Sequence, residues 1–136
     1  MSTEANKTLV RRYFEDLANH ADLSVAADII TPEHVADVEQ LTRMLHTAFP
    51  DFHVTIEDQI AEGDMVVTRF TASGTHRGEW HSPLGTIQPT GKRFSHMGIR
   101  IFRIANGKLV ETWGGADMLS QLQQLGLVPT THSNTS

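Results

Sequence analysis

GKRFSHMGIRIFRIANGKLVETWGGADMLSQLQQLG, residues 91–126, writes out a strand, a turn, a second strand and a helix in that order. Phe94 to Ile104 reads as a strand. Asn106-Gly107 is a tight hairpin signal. The second strand, Lys108 to Trp113, runs into Gly114-Gly115. A helix is predicted over Met118–Leu125, with Gly126 ending it. Both faces of the segment Met97–Arg103 carry apolar residues, with Ile99 and Ile101 on one and Phe102 on the other. A sheet apolar on both faces needs two covers. Helices of the same chain supply one; a second subunit is expected to supply the other, giving a homodimer.

Working upstream, Asn6 to Ala18 places Leu9, Val10, Tyr13, Phe14 and Leu17 at helical spacing, with Ser2 or Thr3 as cap. A short helix is predicted over Leu23–Ile30, capped by Ser24, and a third from Pro32 or Val38 to Phe49 with Val38, Leu41, Met44, Leu45 and Ala48 on its buried stripe. After Pro50 the period falls from about 3.6 to 2. His53–Ala61 and Met65–Thr75 read as strands joined by a hairpin at Glu62-Gly63-Asp64. Residues 76–90, broken by Gly78, Pro83, Gly85 and Pro89, read as an irregular lid or pocket wall anchored by Trp80, Leu84 and Ile87. Helices followed by meandering antiparallel strands define an α+β chain. One domain is expected over residues 1–128, followed by a disordered tail over 129–136.

Composition narrows the partners. The 136 residues carry a net charge of −5 and no basic run, which argues against nucleic acid and anionic membranes. The chain has no cysteine, so disulfides and thiolate chemistry are excluded. No apolar run approaches a membrane span, the N-terminus does not read as a signal peptide, and a cytoplasmic protein is expected. No two histidines pair on a regular element with an acidic third ligand, so no metal site is expected.

The stretches LVRRYFEDL, TAFPDFHVTIEDQIAEGDMVVTRFTASGTHRGEW, PTGKRFSHMGIRIFRIANGKLVETW and LSQLQQLG together resemble the SnoaL-like polyketide cyclases of the NTF2-like superfamily. The resemblance covers nearly all of residues 7–128. It implies a cone-shaped, curved antiparallel sheet wrapped by helices, a deep apolar pocket, no cofactor and a homodimer. Those cyclases use an Asp just after the last strand as the acid/base of an aldol closure. A gapless register places Gly114 at that position and Arg100 where they carry a pocket histidine. Relatives also have a longer loop before the third helix, whereas here Ile30–Asp37 passes almost directly into it and shortens one pocket wall. The limonene-type epoxide hydrolases of the same superfamily hold a water between two Asp and an Arg. Neither Arg69 nor Arg100 has an Asp within two residues on its strand, which disfavours that chemistry.

The implied function is a cofactor-free enzyme moving protons on a hydrophobic, polyketide-like or cyclic carbonyl compound, of cyclase or isomerase type. The alternative is a non-catalytic small-molecule-binding or dimerisation module of the same fold. Asp117 is either the acid/base or the N-cap of the last helix. His96 and Arg100, four apart on one strand, share a face, and Gly98 between them is expected to leave room for a ligand. In that reading Arg100 stabilises a developing oxyanion and His96 serves as the base. The plainer reading gives Arg100 a salt bridge and His96 a sheet-edge position. Trp80, His81, His76, Trp113 and Tyr13 are the expected substrate contacts, Trp80 by stacking; the plainer reading, a core role, is the commoner one for Trp80 and Trp113.

Overall fold

The computed structural model describes residues 2–129. The tail expected from residue 129 onward lies, apart from Pro129, outside the described residues. Ser2 caps the first helix, its Oγ accepting the Ala5 N–H at 3.0 Å. Helix α1 (Thr3–Arg12) continues directly into a π-helical segment, Tyr13–Asn19, and buries Leu9, Val10, Phe14 and Leu17. Its end is held from two sides. His46 Nε2 donates to the Ala18 carbonyl at 2.6 Å. The Asn19 side-chain amide pairs with both backbone groups of Val54, accepting its N–H at 2.7 Å and donating to its carbonyl at 2.9 Å.

The single short helix expected next is instead a 3₁₀ turn (Leu23–Val25) followed by α2 (Ala26–Ile29). Its cap is Asp22, which accepts the Ser24 N–H, so Ser24 is the capped residue. Helix α3 (Pro32–Ala48) starts on a proline, whose missing N–H costs nothing in the first turn.

Strands β1 (His53–Glu62) and β2 (Met65–Thr75) form the predicted hairpin. The segment expected to be irregular contains a small hairpin, β3 (Trp80–Ser82) and β4 (Gly85–Ile87). Ser82 makes it possible: its hydroxyl donates to the Gly85 carbonyl at 2.8 Å and accepts the Leu84 N–H at 3.1 Å. Strands β5 (Arg93–Ala105) and β6 (Lys108–Ala116) follow, joined at Asn106-Gly107, where φ values of +53° and +74° suit a primed hairpin turn. The main sheet is antiparallel in the order β1-β2-β5-β6, and α4 (Met118–Gln124) closes the described chain.

The helices cover one face of this sheet. Val66, Thr68, Phe70 and Ala72 of β2 and Phe94, His96, Phe102 and Ile104 of β5 point towards them and are buried. Two aromatic groups fill the layer. Tyr13, Phe14, Phe70 and Phe102 stand at ring separations of 5.1 to 5.9 Å at one end. At the other, Phe49 contacts Phe94, His76 and Trp80 at 5.0 to 5.4 Å. Gly98 does not leave a space for a ligand as expected, because the Phe70 ring occupies the place where a Cβ would go.

Candidate functional site

At Leu109 the edge strand β6 meets the helical layer. The Leu109 carbonyl accepts the Thr31 N–H at 3.1 Å, and Leu109 forms a parallel bridge with Ile30. Residues of α3 and of the free edge of β6 line a half-open cleft of about 340 Å³. Tyr13, Ile30, Val38, Phe102 and Leu109 supply apolar walls, while His34, Asp37, Glu111 and Thr112 supply polar groups. Apolar walls with a few placed polar groups are the common form of a small-molecule site.

The sequence builds this cleft locally. Tyr13 opens the π-helical segment, a widened helical geometry that recurs at functional sites. Its ring is fixed edge-on against Phe14 and Phe102, both at 5.1 Å. Burial raises the phenol's pKa, and the nearby Arg100 charge opposes this in part. The hydroxyl is thus kept as a neutral donor, and among the described residues it has no hydrogen-bond partner. Arg100 donates through Nη1 to Thr112 Oγ1 at 3.3 Å, which holds the guanidinium against a residue that lines the cleft. Glu111 is paired across the strands with Arg103. Among the described residues no three His, Asp or Glu side chains converge on one point.

Of the residues singled out from sequence, Tyr13 lines the cleft and Arg100 abuts it through Thr112. The others lie elsewhere. Asp117 caps α4, accepting the Ser120 N–H at 3.0 Å, and its backbone carbonyl accepts from His96 Nδ1 at 2.9 Å. That hydrogen bond ties β5 to the start of α4 and turns the His96 ring onto Phe94 rather than towards the cleft. His76 and Trp80 are buried in the second aromatic group. His81 is exposed on the β3–β4 hairpin beside Glu79. Trp113 lies on the opposite face of the sheet, in register with Ile101. Arg69 is also on that outer face, bound to Asp58 at 2.6 Å. His34, Asp37 and Thr112 were not among the candidates. The segment Ile30–Asp37, read as a shortened pocket wall, is the stretch that carries two of them.

Gly114 has φ of +113°, and an added Cβ would overlap the Ile99 carbonyl oxygen. The strand is therefore built around the absence of a side chain at Gly114.

A curved antiparallel sheet covered on one face by N-terminal helices, with a cleft between the layers, is the NTF2-like fold. The family model described as SnoaL-like polyketide cyclase matches residues 8–125, and the chain belongs to that family. Among solved structures it is similar to TsrD from Streptomyces laurentii, at 26% identity and a TM-score of 0.84, covering 94% of this chain and 99% of that one. It is similar also to AclR, a putative hydroxylase from Streptomyces galilaeus, at 29% identity and a TM-score of 0.79, covering 96% of this chain and 86% of that one. IdmH, a putative polyketide cyclase from Streptomyces antibioticus, matches at 26% identity and a TM-score of 0.72, covering 89% of this chain and 98% of that one. No curated protein matches the chain. Among the described residues no helix is long and apolar enough to cross a membrane.

Proposed function

We propose that the chain is a cofactor-free acid/base enzyme acting on a hydrophobic cyclic or polyketide-like carbonyl compound bound in the α3–β6 cleft. The observation that carries this reading is the Tyr13 hydroxyl, an unpartnered neutral donor set in an apolar wall beside the Arg100 charge. A neutral donor and a nearby cation together favour negative charge on an oxygen placed between them. The family supports the substrate class, as does the putative polyketide cyclase IdmH among the similar structures. The family's aldol acid is absent, so the reading keeps the proton transfer and the oxyanion but not the residue after the last strand.

Isothermal titration with 2-naphthol, a planar phenol shaped like a bicyclic enol, tests the oxyanion side. Tyr13→Phe and Arg100→Ala are each expected to weaken binding by about 10-fold, the loss typical of a hydrogen bond or charge contact to a polar ligand oxygen. Unchanged affinity in both variants would remove that role. A non-catalytic binding module is the second reading, favoured by the use of both His96 and Asp117 in structural hydrogen bonds. It predicts ligand binding by the wild-type chain with no proton exchange into any bound ketone.

A further inference from the structure

We propose that Asp37 is the base of the cleft, and that its substrates are two-ring or larger cyclic ketones with an acidic C–H beside the carbonyl. The inference rests on the cleft's being the substrate site, as argued above, and names the residue that works there.

Along α3, Val38 and Leu45 fall on the stripe turned to the sheet, and His34 and Asp37, both exposed, line the cleft beside it. Val38 and Leu45 pack on the core, as such a stripe ordinarily does. His34 and Asp37 share the cleft lining with Leu109 to Thr112 of β6, the edge strand. Asp37 is exposed and lines the cleft, and among the described residues nothing in the fold occupies its carboxylate. Among the described residues Asp37 has no ion-pair partner, whereas the cleft's other carboxylate, Glu111, is held by Arg103. Asp37 is thus the one carboxylate lining the cleft that is free to meet a ligand.

The arrangement fits one chemistry. The Asp37 carboxylate takes a proton from the carbon next to the carbonyl. The C–H electron pair becomes the C=C bond of an enolate, and the carbonyl π pair moves onto oxygen, which the Tyr13 O–H and the Arg100 charge stabilise. Where the ketone has a β,γ double bond, the dienolate regains the proton from Asp37 at the γ-carbon and the double bond moves into conjugation, an isomerisation; otherwise the enolate attacks a second carbonyl of the same molecule. In the latter case a C–C bond closes the ring and the proton goes to the new alkoxide. His34, one turn before Asp37 and open to water, is placed to exchange that proton with solvent. The volume of 340 Å³ lies at the lower end of the range for ligand pockets, about 300–1,000 Å³. It suits a two-ring core, with any larger portion leaving through the open side.

The test uses 2-tetralone in D₂O, with loss of the C1 proton signal followed by NMR, alongside 2-naphthol titration of the same proteins. Wild type is expected to accelerate exchange over buffer. Asp37→Asn is expected to lower the enzymatic rate by at least about 100-fold, the usual scale for a general base, while keeping 2-naphthol affinity within about threefold. Asp37→Glu should recover part of the rate. Exchange by Asp37→Asn within about threefold of wild type overturns the assignment of the base and leaves the cleft reading standing. Binding of 2-naphthol without exchange by wild type overturns the base and favours the binding module. Failure of wild type to do either overturns the base and the proposed function together.

Discussion

At Gly114 the backbone is built without room for a side chain. The backbone there has φ of +113°, and the Ile99 carbonyl fills the space a Cβ needs. Gly114→Asp is therefore expected to cost about 3 kcal/mol or more, since strain at a special φ and a backbone overlap act together. It is expected to create no cyclase activity. A lower urea midpoint with an unchanged slope is the measurement that checks it; an equally stable variant with new turnover would show that the position remains a competent acid site. The sequence marks Gly114 as the departure from the cyclases, but the positive φ depends on the β5–β6 pairing that the sequence does not display. Asp117 shows the reverse case. An Asp one residue before a helix is legible as a cap, and it accepts the Ser120 N–H. Asp37 was read only as part of a short connection, because its place opposite a strand edge more than 70 residues away is set by tertiary folding.

Among the elements, the segment between β2 and β5 differs most from its sequence reading, and His76 is its anchor. The His76 backbone N–H donates to the Lys92 carbonyl at 2.9 Å, and its carbonyl accepts the Gly91 N–H at 2.8 Å. Nδ1 accepts the Thr90 N–H at 3.2 Å, so the neutral ring carries its proton on Nε2, among Phe49 and Trp80. Burial lowers the pKa of His76 below its ordinary value of 6.5, and the Gly78 backbone, close by but outside hydrogen-bonding geometry, opposes this only in part. The unfolded chain then binds more protons than the folded one as pH falls. The stabilising effect of a neutral His76 is complete above about pH 6.5 and is lost as pH falls through the unfolded value towards the depressed one. Thermal unfolding midpoints should drop between pH 7 and pH 5, and His76→Gln, which keeps an acceptor for Thr90 without titrating, should flatten that part of the curve. An unaltered pH profile in the variant would assign the loss to other groups. Gly, Pro and small polar residues made this segment look irregular. The short β3–β4 pairing depends on the Ser82 hydroxyl and on Trp80 lodging against Phe49, neither of which is periodic in sequence. The longer elements were legible because their apolar period repeats over several turns or strand steps.

At the scale of the whole molecule, the face of the sheet turned away from the helices remains uncovered in the single chain. The strand registers place Ile60, Val67, Ile101 and Trp113 in one row across all four strands. Ile99 and Met97 extend this row along β5. Ile60 is 69% exposed, Met97 49%, Trp113 44% and Ile99 43%. A contiguous apolar face of this kind ordinarily marks an interaction surface. The charged neighbours of the row are already paired within the chain, Arg69, opposite Ile99, with Asp58 and Arg103 with Glu111, so the row itself offers no net charge to a charged partner. A second copy supplies the same row, and two-fold symmetry lets one apolar sheet face cover another. The alternation at Ile99, Ile101 and Phe102 already required a cover on each side, and the helices provide only one. The protein is therefore expected to run as a homodimer in light scattering coupled to size exclusion. Ile99→Glu places two like charges at or near the two-fold contact and should shift it to the monomer, while leaving the α3–β6 cleft on the other face of the sheet intact. If the wild-type chain is monomeric across micromolar concentrations, the row belongs to a different partner. If Ile99→Glu remains dimeric, the chains associate through another surface. Because the cleft and the row lie on opposite faces of one thin sheet, binding of 2-naphthol to the monomeric variant also separates the two functions: retained affinity shows that the cleft is complete within one chain.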